Sequence, residues 1–178
     1  MTERLWDVVQ ADLSVCSHRR GFLGVAATTL ASPGFLTVLL HRLATGLHRK
    51  GHVFRALGRV IWRINTGRSG CYISLNARIA PGLNLPHAVA VVIGDAVEIG
   101  RNVTIYQSVT LGRRSSDDAF YPIVKDGVTL YAGCVVIGAV TLGEKAVVAA
   151  NSVVMKDVPP GAVAAGVPAR ILSSSRGD

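Results

Sequence analysis

One histidine, whose ring can accept and donate protons, lies in a run of small and apolar residues. His87 follows Pro86 in the stretch Leu83–Gly94, which reads LNLPHAVAVVIG. An imidazole titrates near neutral pH, so it can take a proton from a hydroxyl group as a general base. A single histidine is more often a structural residue with satisfied hydrogen bonds. The elements around His87 must therefore decide between the two interpretations.

Two other sets of residues are of the types that bind metals or undergo redox reactions, but their spacing suits neither role. His48 and His52 are four residues apart, but Gly51 ends a helix between them. Metal ligands at this spacing need one continuous helix face. The cysteines are isolated and form no CxxC pair: Cys16, Cys71 and Cys134. We therefore predict no metal and reduced, buried thiols, and, with no evident signal peptide, a cytoplasmic protein.

The charge of the chain predicts anionic partners. The net charge is +8 over 178 residues, and the basic residues crowd the first third. Such a balance suits a nucleotide-bearing cofactor, an acidic substrate, nucleic acid or a membrane surface. The arginines lie on amphipathic helices without a nucleic-acid-binding motif, so we expect them to be solvated or to face another subunit. Peripheral membrane contact through these helices stays open, whereas nucleic acid is not expected.

The uncharged stretch Gly21–Leu40 could be taken for a membrane span. Ser32, Pro33 and Gly34 interrupt it, and this sequence is typical of a turn. We therefore expect a buried hairpin of two short helices. Apolar residues recur at helical spacing up to residue 69, and the helix that begins at His52 is expected to end at Gly67.

From residue 70 the hydrophobic period changes to six. Counting from Ile73, an aliphatic residue begins each hexad, with two residues skipped before Ile93 and a longer break after Leu111: Ile73, Ile79, Leu85, Ile93, Ile99, Ile105, Leu111, Val124, Leu130, Val136, Leu142, Val148 and Val154. This period predicts a mainly β protein, a left-handed parallel β-helix of hexapeptide repeats. We assign residues 1–69 to a short α-helical region, 70–172 to the β-helix and 173–178 to a C-terminal tail.

Two irregularities interrupt the repeats on the same few coils. One is the skipped register at His87–Val92, and the other is the non-repeating insert Gly112–Ile123. A prism built from hexads has flat faces, so its sites form where loops project or where prisms meet, and such prisms usually associate as trimers. Loops on a rigid scaffold often carry function. The irregularity at His87 therefore favours a functional histidine.

The order of these segments resembles the serine O-acetyltransferase branch of the hexapeptide-repeat acyltransferases. The resemblance covers nearly the whole chain, and its specific parts are LPHAVAVVIGDAVEIGRNVTIYQSVTLG, the following loop, and the run that ends in GVPAR. It implies transfer of an acetyl group from acetyl-CoA to a hydroxyl group, without a metal. It also implies a homotrimer or a dimer of trimers.

The resemblance assigns roles to several residues. His87 matches the catalytic base, and backbone N–H groups around Gly112 and Arg113 would stabilise the oxyanion. The small residues that let the pantetheine arm approach the backbone match Ala132 and Ala150. Lys156 and Arg170 could meet the phosphates of CoA, although solvated surface charges explain them equally well.

The chain departs from the family pattern at the positions that bind serine. Tyr72 stands fifteen residues before His87, where the family has an aspartate that orients the histidine. Pro86 replaces a second aspartate, the pair Phe120–Tyr121 replaces Arg-His, and Arg19 falls at an aspartate of the helical region. A site without these charges should bind the ammonium and carboxylate of serine poorly.

We therefore expect an acceptor other than free L-serine. The aromatic replacements suit a sugar ring, and the arginines, including Arg114, suit a carboxylate or phosphate. A sugar or polysaccharide hydroxyl is the first expectation, followed by another hydroxylated metabolite. A true serine acetyltransferase of cysteine synthesis and a non-catalytic interaction module are the alternatives. Either a backbone carbonyl or the Tyr72 hydroxyl could then orient His87.

Overall fold

Four helices form the first part of the chain. The computed structural model describes residues 4–115, 117 and 119–174. The helices are α1 Leu5–Cys16, α2 Gly21–Ala31, α3 Pro33–His48 and α4 His52–Ser69. α3 and α4 form an antiparallel pair whose crossing depends on Gly58, because a Cβ there would lie 2.6 Å from the Ala44 carbonyl oxygen.

The predicted break between α2 and α3 is confirmed. The Ser32 side chain accepts a hydrogen bond from the Phe35 N–H, and Pro33 occupies the first turn of α3, as is typical of a helix start. The hairpin is less buried than predicted, because α2 exposes the large side chains of Phe22, Leu23 and Leu30. In the described part of the chain no single helix has the length and hydropathy to cross a membrane, and α2 and α3 reach that length only together, with a bend of 117°.

Two local predictions from the sequence are wrong. α4 continues beyond Gly67 to Ser69, because Gly70, with a φ of 66°, provides the left-handed residue that ends the helix. Cys16 is exposed, whereas Cys71 and Cys134 are buried as expected. Burial raises the pKa of the Cys134 thiol to about 12, so this thiol stays protonated at neutral pH.

Fourteen short strands form the rest of the described chain. They are β1 Tyr72–Ile73, β2 Arg78–Ile79, β3 Val92–Ile93, β4 Glu98–Ile99, β5 Thr104–Ile105, β6 Thr110–Gly112, β7 Ile123–Val124, β8 Thr129–Leu130, β9 Val135–Ile137, β10 Thr141–Leu142, β11 Val147–Val148, β12 Val153–Val154, β13 Ala162–Gly166 and β14 Ala169–Ser174.

The strands stack into three sheets. Sheet 1 has the order β1-β3-β6-β9-β12, sheet 2 has β10-β7-β4-β2, and sheet 3 has β14-β13-β11-β8-β5. From β1 to β13, consecutive strands of the chain lie in different sheets, and all pairs are parallel except β13 with β14, which form an antiparallel hairpin within sheet 3. The result is a triangular prism with three edges where the chain turns between sheets. The predicted left-handed parallel β-helix is confirmed.

The hexads build the core of this prism. Each of the first twelve strands contains one of the predicted aliphatic residues, and Leu85 is buried beside an isolated bridge at Asn84. Ile79 is the one member that is only partly buried. Each coil therefore stacks its apolar residues on those of the next coil, and the core is continuous along the prism. β14 runs to Ser174, two residues beyond the predicted end of the β-helix at 172.

Candidate active site at an edge of the prism

The edge that carries His87 contains two additional residues. Asn84 pairs with Thr104, and Val92 pairs with Thr110. Eight residue steps separate Asn84 from Val92, whereas six separate their partners. The skipped register in the sequence therefore corresponds to a bulge at the edge where the chain turns from sheet 3 to sheet 1, and His87 lies in this bulge.

The bulge presents His87 to the outside. Ala88 is buried, while His87 and Val89 are exposed, and the Val89 N–H donates to the His87 carbonyl at 2.9 Å. The start of α3 supports the residue that leads into the bulge, because a Cβ at Gly34 would overlap the Leu85 carbonyl oxygen. The helical hairpin thus fixes the backbone two residues before His87.

The imidazole of His87 contacts an aromatic ring of the next coil. Its centroid lies 6.2 Å from that of Tyr106, at an interplanar angle of 53°. Tyr106 in turn stacks on Tyr131, with a centroid distance of 5.2 Å and an angle of 17°. Tyr72, which the sequence suggested as a partner of His87, instead makes an edge-to-face contact with Trp62 at 5.4 Å.

The two small residues predicted to meet CoA lie on the same edge as His87. Gly133 donates its N–H to the Gln107 carbonyl, and Asn151 donates its N–H to the Ala132 carbonyl, each at 2.9 Å. These bonds stack the turns of successive coils, so Ala132 and Ala150 lie above the coil that follows His87. The fold brings together residues that are up to 63 positions apart in the sequence, from His87 to Ala150.

The two basic residues predicted for the phosphates lie elsewhere. Lys156 follows β12, at the other side of sheet 1 from Ala150, and Arg170 lies on the β13–β14 hairpin. Both side chains are exposed. One chain does not gather them at the His87 edge, and their role in cofactor binding stays a prediction.

The predicted oxyanion residues lie across sheet 1 from His87. His87 precedes β3, Gly112 ends β6, and β3 pairs with β6, so the two residues flank opposite ends of neighbouring strands. Arg113 and Arg114 follow Gly112 into the insert, and the Arg114 guanidinium lies near Gly138. Within one chain this edge and the His87 edge are separated by a face of the prism.

The aromatic pair of the insert divides between core and surface. Tyr121 packs against the core over Gly94, where a Cβ would lie 2.6 Å from the tyrosine ring, whereas Phe120 is two-thirds exposed. Gly94 follows β3, so Tyr121 lies on the same edge as Gly112.

Two further residues predicted to bind the acceptor lie outside the insert. Arg19 lies between α1 and α2, packed beside Gly24. Pro86 is exposed next to His87.

Tyr72 lines a cavity that the sequence analysis did not find. The cavity has a volume of about 330 Å³ and lies between α4 and the first coils. Its wall combines the aromatic pair Trp62 and Tyr72 with Arg59 and Arg63 of α4 and with Asp95 of the prism. Trp62 is fixed by a hydrogen bond from its indole N–H to the Ile73 carbonyl at 2.8 Å. The sequence predicts an amphipathic basic helix in this region. The helical pattern alone does not indicate which of its arginines face the cavity.

An ion pair under the site also escaped sequence reasoning. The buried Asp12 carboxylate accepts hydrogen bonds from the Arg42 guanidinium at 2.9 and 3.0 Å, and from the N–H groups of Gly82 and Leu83 at 2.8 and 2.9 Å. Arg42 also donates to the Ala80 carbonyl at 2.8 Å. The sequence feature that could have indicated this ion pair is Asp12 itself, a single acidic residue on the apolar face of α1. In the described residues, no group of three or more His, Cys, Asp or Glu side chains could hold a metal ion.

Comparisons with solved structures agree with this fold. No family model matches the chain. A serine acetyltransferase from Helicobacter pylori strain J99 is 35% identical over 148 residues, which are 83% of this chain and 85% of that protein.

Solved structures give the same result. A soybean serine acetyltransferase complexed with serine aligns with a TM-score of 0.83 and 34% identity over 94% of this chain and 69% of that one. A serine acetyltransferase complex with CoA aligns with a TM-score of 0.80 and 31% identity, over 94% and 69%. The enzyme class is therefore that of the acyltransferases, and the chain belongs to the serine acetyltransferase family of hexapeptide-repeat proteins.

Proposed function

We propose that the protein transfers an acetyl group from acetyl-CoA to a hydroxyl group with His87 as the general base. The observation that carries this proposal is the shared edge: His87 is exposed in a bulge, and Ala132 and Ala150 lie on the same edge in the coils above it. Both alanines are small enough to let an extended thioester arm approach the backbone. The edge can therefore hold a donor whose reactive end reaches the imidazole.

The chemistry assigns one proton to His87. The neutral imidazole takes the proton of the acceptor hydroxyl as its oxygen attacks the thioester carbonyl. The tetrahedral intermediate collapses with cleavage of the carbon–sulfur bond, and the imidazolium returns the proton to the departing CoA sulfur. The products are an O-acetyl ester and the free CoA thiol.

A complete site needs a second copy of the chain. Gly112 and Arg113 lie across sheet 1 from His87, so they can stabilise the oxyanion only if the edge of one prism meets that of another. We propose a homotrimer, or a dimer of trimers, in which each site combines two edges. Sedimentation equilibrium would give three or six times the chain mass of 18.7 kDa.

L-Serine is the first acceptor to test. The Helicobacter pylori relative, 35% identical to this chain, is named serine acetyltransferase, and the soybean enzyme is described in complex with serine. The shared family thus favours serine over the non-serine acceptor predicted from the sequence.

A hydroxyl acceptor other than serine is the second candidate, and a specific cavity favours it. Trp62 and Tyr72 present two aromatic rings beside Arg59 and Arg63 in a space of about 330 Å³. Aromatic faces suit a sugar ring, and guanidinium groups suit a carboxylate or phosphate. The corresponding substrate would be a sugar or another metabolite with an acidic group.

Release of free thiol from acetyl-CoA, with and without L-serine, tests the proposal. His87→Ala should lower the turnover number by about 10²- to 10⁴-fold, the usual contribution of a general base. His52→Ala removes an exposed histidine away from the edge and should leave the rate unchanged.

Three outcomes are distinguishable. Serine-dependent release that His87→Ala abolishes would establish a serine acetyltransferase. Acetyl-CoA binding without serine turnover, followed by His87-dependent release with an acidic sugar, would establish the second candidate. Thiol release that is equal in wild type and His87→Ala would contradict enzymatic catalysis at this edge and favour an interaction module.

A further inference from the structure

His87 stands at one end of a column of three aromatic rings, formed by His87, Tyr106 and Tyr131. Both centroid distances, 6.2 and 5.2 Å, lie within the range of attractive ring contacts. The column runs along the edge of the prism towards Ala132, which directly follows Tyr131.

The backbone holds both tyrosines in place. The Tyr106 N–H donates to the Leu130 carbonyl at 2.9 Å, and the Tyr131 N–H donates to the Val148 carbonyl at 3.0 Å. Each tyrosine immediately follows a strand of sheet 3, so the ladder of that sheet sets the spacing of the rings. The stack is a rigid support, because each ring is attached to a regular element.

The imidazole of His87 makes no hydrogen bond among residues 4–115, 117 and 119–174, and its ring contact there is with Tyr106. The usual device, a carboxylate or carbonyl that fixes the orientation of the ring, is therefore replaced by packing. We propose that Tyr106 is a positioning residue that orients the His87 imidazole for proton transfer, and that Tyr131 holds Tyr106. This inference rests on the proposed role of His87 as the base.

The contact depends on the tyrosine ring and not on its hydroxyl. In the described chain neither phenol hydroxyl makes a hydrogen bond, and Tyr131 is 43% exposed while it stacks on Tyr106. Phenylalanine should therefore replace Tyr106 without loss. Leucine keeps the apolar volume but removes the ring, so the imidazole would turn through orientations that cannot accept the hydroxyl proton.

Steady-state kinetics separates positioning from binding. Relative to wild type, Tyr106→Leu should lower kcat about tenfold, as expected for loss of a single orienting contact worth ~1.4 kcal/mol. The KM for acetyl-CoA should stay unchanged, because the contact acts on the base and not on the donor. Tyr106→Phe should retain the wild-type kcat. Phe54→Leu, which removes an exposed ring from α4, is the matched control.

Nuclear magnetic resonance of ¹³C-labelled histidine tests the contact without any activity. The ring current of Tyr106 should shift the His87 Cε1–H signal, assigned by its loss in His87→Ala. The shift should disappear in Tyr106→Leu, weaken in Tyr131→Leu, and persist in Tyr106→Phe and Phe54→Leu. Retention of fold in each variant is checked by the remaining histidine signals.

Each result decides the proposal. An unchanged kcat or an unchanged His87 signal in Tyr106→Leu would overturn it, and so would an equal loss in Tyr106→Phe. A rise in KM without a fall in kcat would make Tyr106 a binding residue and would also overturn it. If the wild type shows no His87-dependent turnover, the proposed function fails. The His87 signal then still establishes or refutes the packing of the column.

Discussion

Two histidines near the junction of helices and prism have opposite environments. His41 is buried in α3, and its Nδ1 has no hydrogen-bond partner among the described residues, whereas His87 is exposed at the edge. Burial, followed by the nearby charges of Arg42 and Arg49, lowers the pKa of His41 from 6.5 to about 3. A base must reach its substrate, so the exposed His87 suits catalysis and the buried His41 does not.

The depressed pKa of His41 predicts a loss of stability in acid. Below pH 6.5 the unfolded chain binds a proton at His41 that the folded chain does not, so the stability falls as pH falls towards 3. The cost is ~1.4 kcal/mol for each pH unit, or about 2 kcal/mol between pH 6.5 and 5. Urea unfolding at pH 7 and pH 5 should show this difference in wild type.

His41→Leu supplies the comparison for this measurement. Without a titratable group at this position, the free energy of unfolding should fall by about 2 kcal/mol less between the two pH values. A wild-type pH dependence that persists in His41→Leu would mean that other groups cause it.

At the scale of elements, the start of α3 and the His87 bulge are in direct contact. Gly34 has no room for a side chain, because a Cβ would overlap the Leu85 carbonyl oxygen. Gly46, in the same helix, has open space around the corresponding position. The glycine that looks like part of a turn signal in the sequence is therefore a point of close approach.

Gly34→Ala should destabilise the protein by about 1–3 kcal/mol, because either α3 or the backbone before His87 must move. Gly46→Ala should instead stabilise it by up to ~1 kcal/mol, because alanine favours the helix. Chemical denaturation of both variants, together with thiol release, checks the difference. Equal effects of the two substitutions would show that the close contact at Leu85 is not maintained in solution.

At the scale of the whole molecule, the buried pair Asp12–Arg42 joins the helices to the prism. Asp12 belongs to α1, Arg42 to α3, and their further partners Ala80, Gly82 and Leu83 to the first coil. These three residues precede His87 by four to seven positions in the chain. The pair thereby links the placement of the edge to the packing of the helical region.

Asp12→Ala should cost about 3–5 kcal/mol of stability, because it leaves the Arg42 guanidinium buried without its charge partner. The exposed pair Arg78–Glu98 is the control, at 2.6 Å with side chains 78% and 43% exposed. Glu98→Ala should cost no more than ~1 kcal/mol. Thermal or urea unfolding would contradict this interpretation if both substitutions had the same effect.

The sequence predicted the structure of the prism more completely than that of the helical region. In the prism, the period of six predicted the aliphatic core residue of each of the first twelve strands, of which Ile79 alone is partly buried, and the skipped register located the bulge at His87. In the helices, the same reasoning predicted the break at Pro33 but ended α4 at Gly67 instead of Ser69, and it treated α2 as buried. A strict repeat constrains every coil by its neighbours, whereas the burial of a helix depends on what packs against it.

The sequence by itself determined the β-helix, the position of its core residues and the irregular coil that carries the histidine. Only the tertiary structure decided which residues come together: Tyr106, Tyr131, Ala132 and Ala150 share the edge of His87, and Tyr72 contacts Trp62 of α4 and not His87. The physical reason is that hydrophobic periodicity is a local property of the chain. Contacts between edges and helices depend on the stacking of coils and on single close approaches such as that of Gly34 to Leu85.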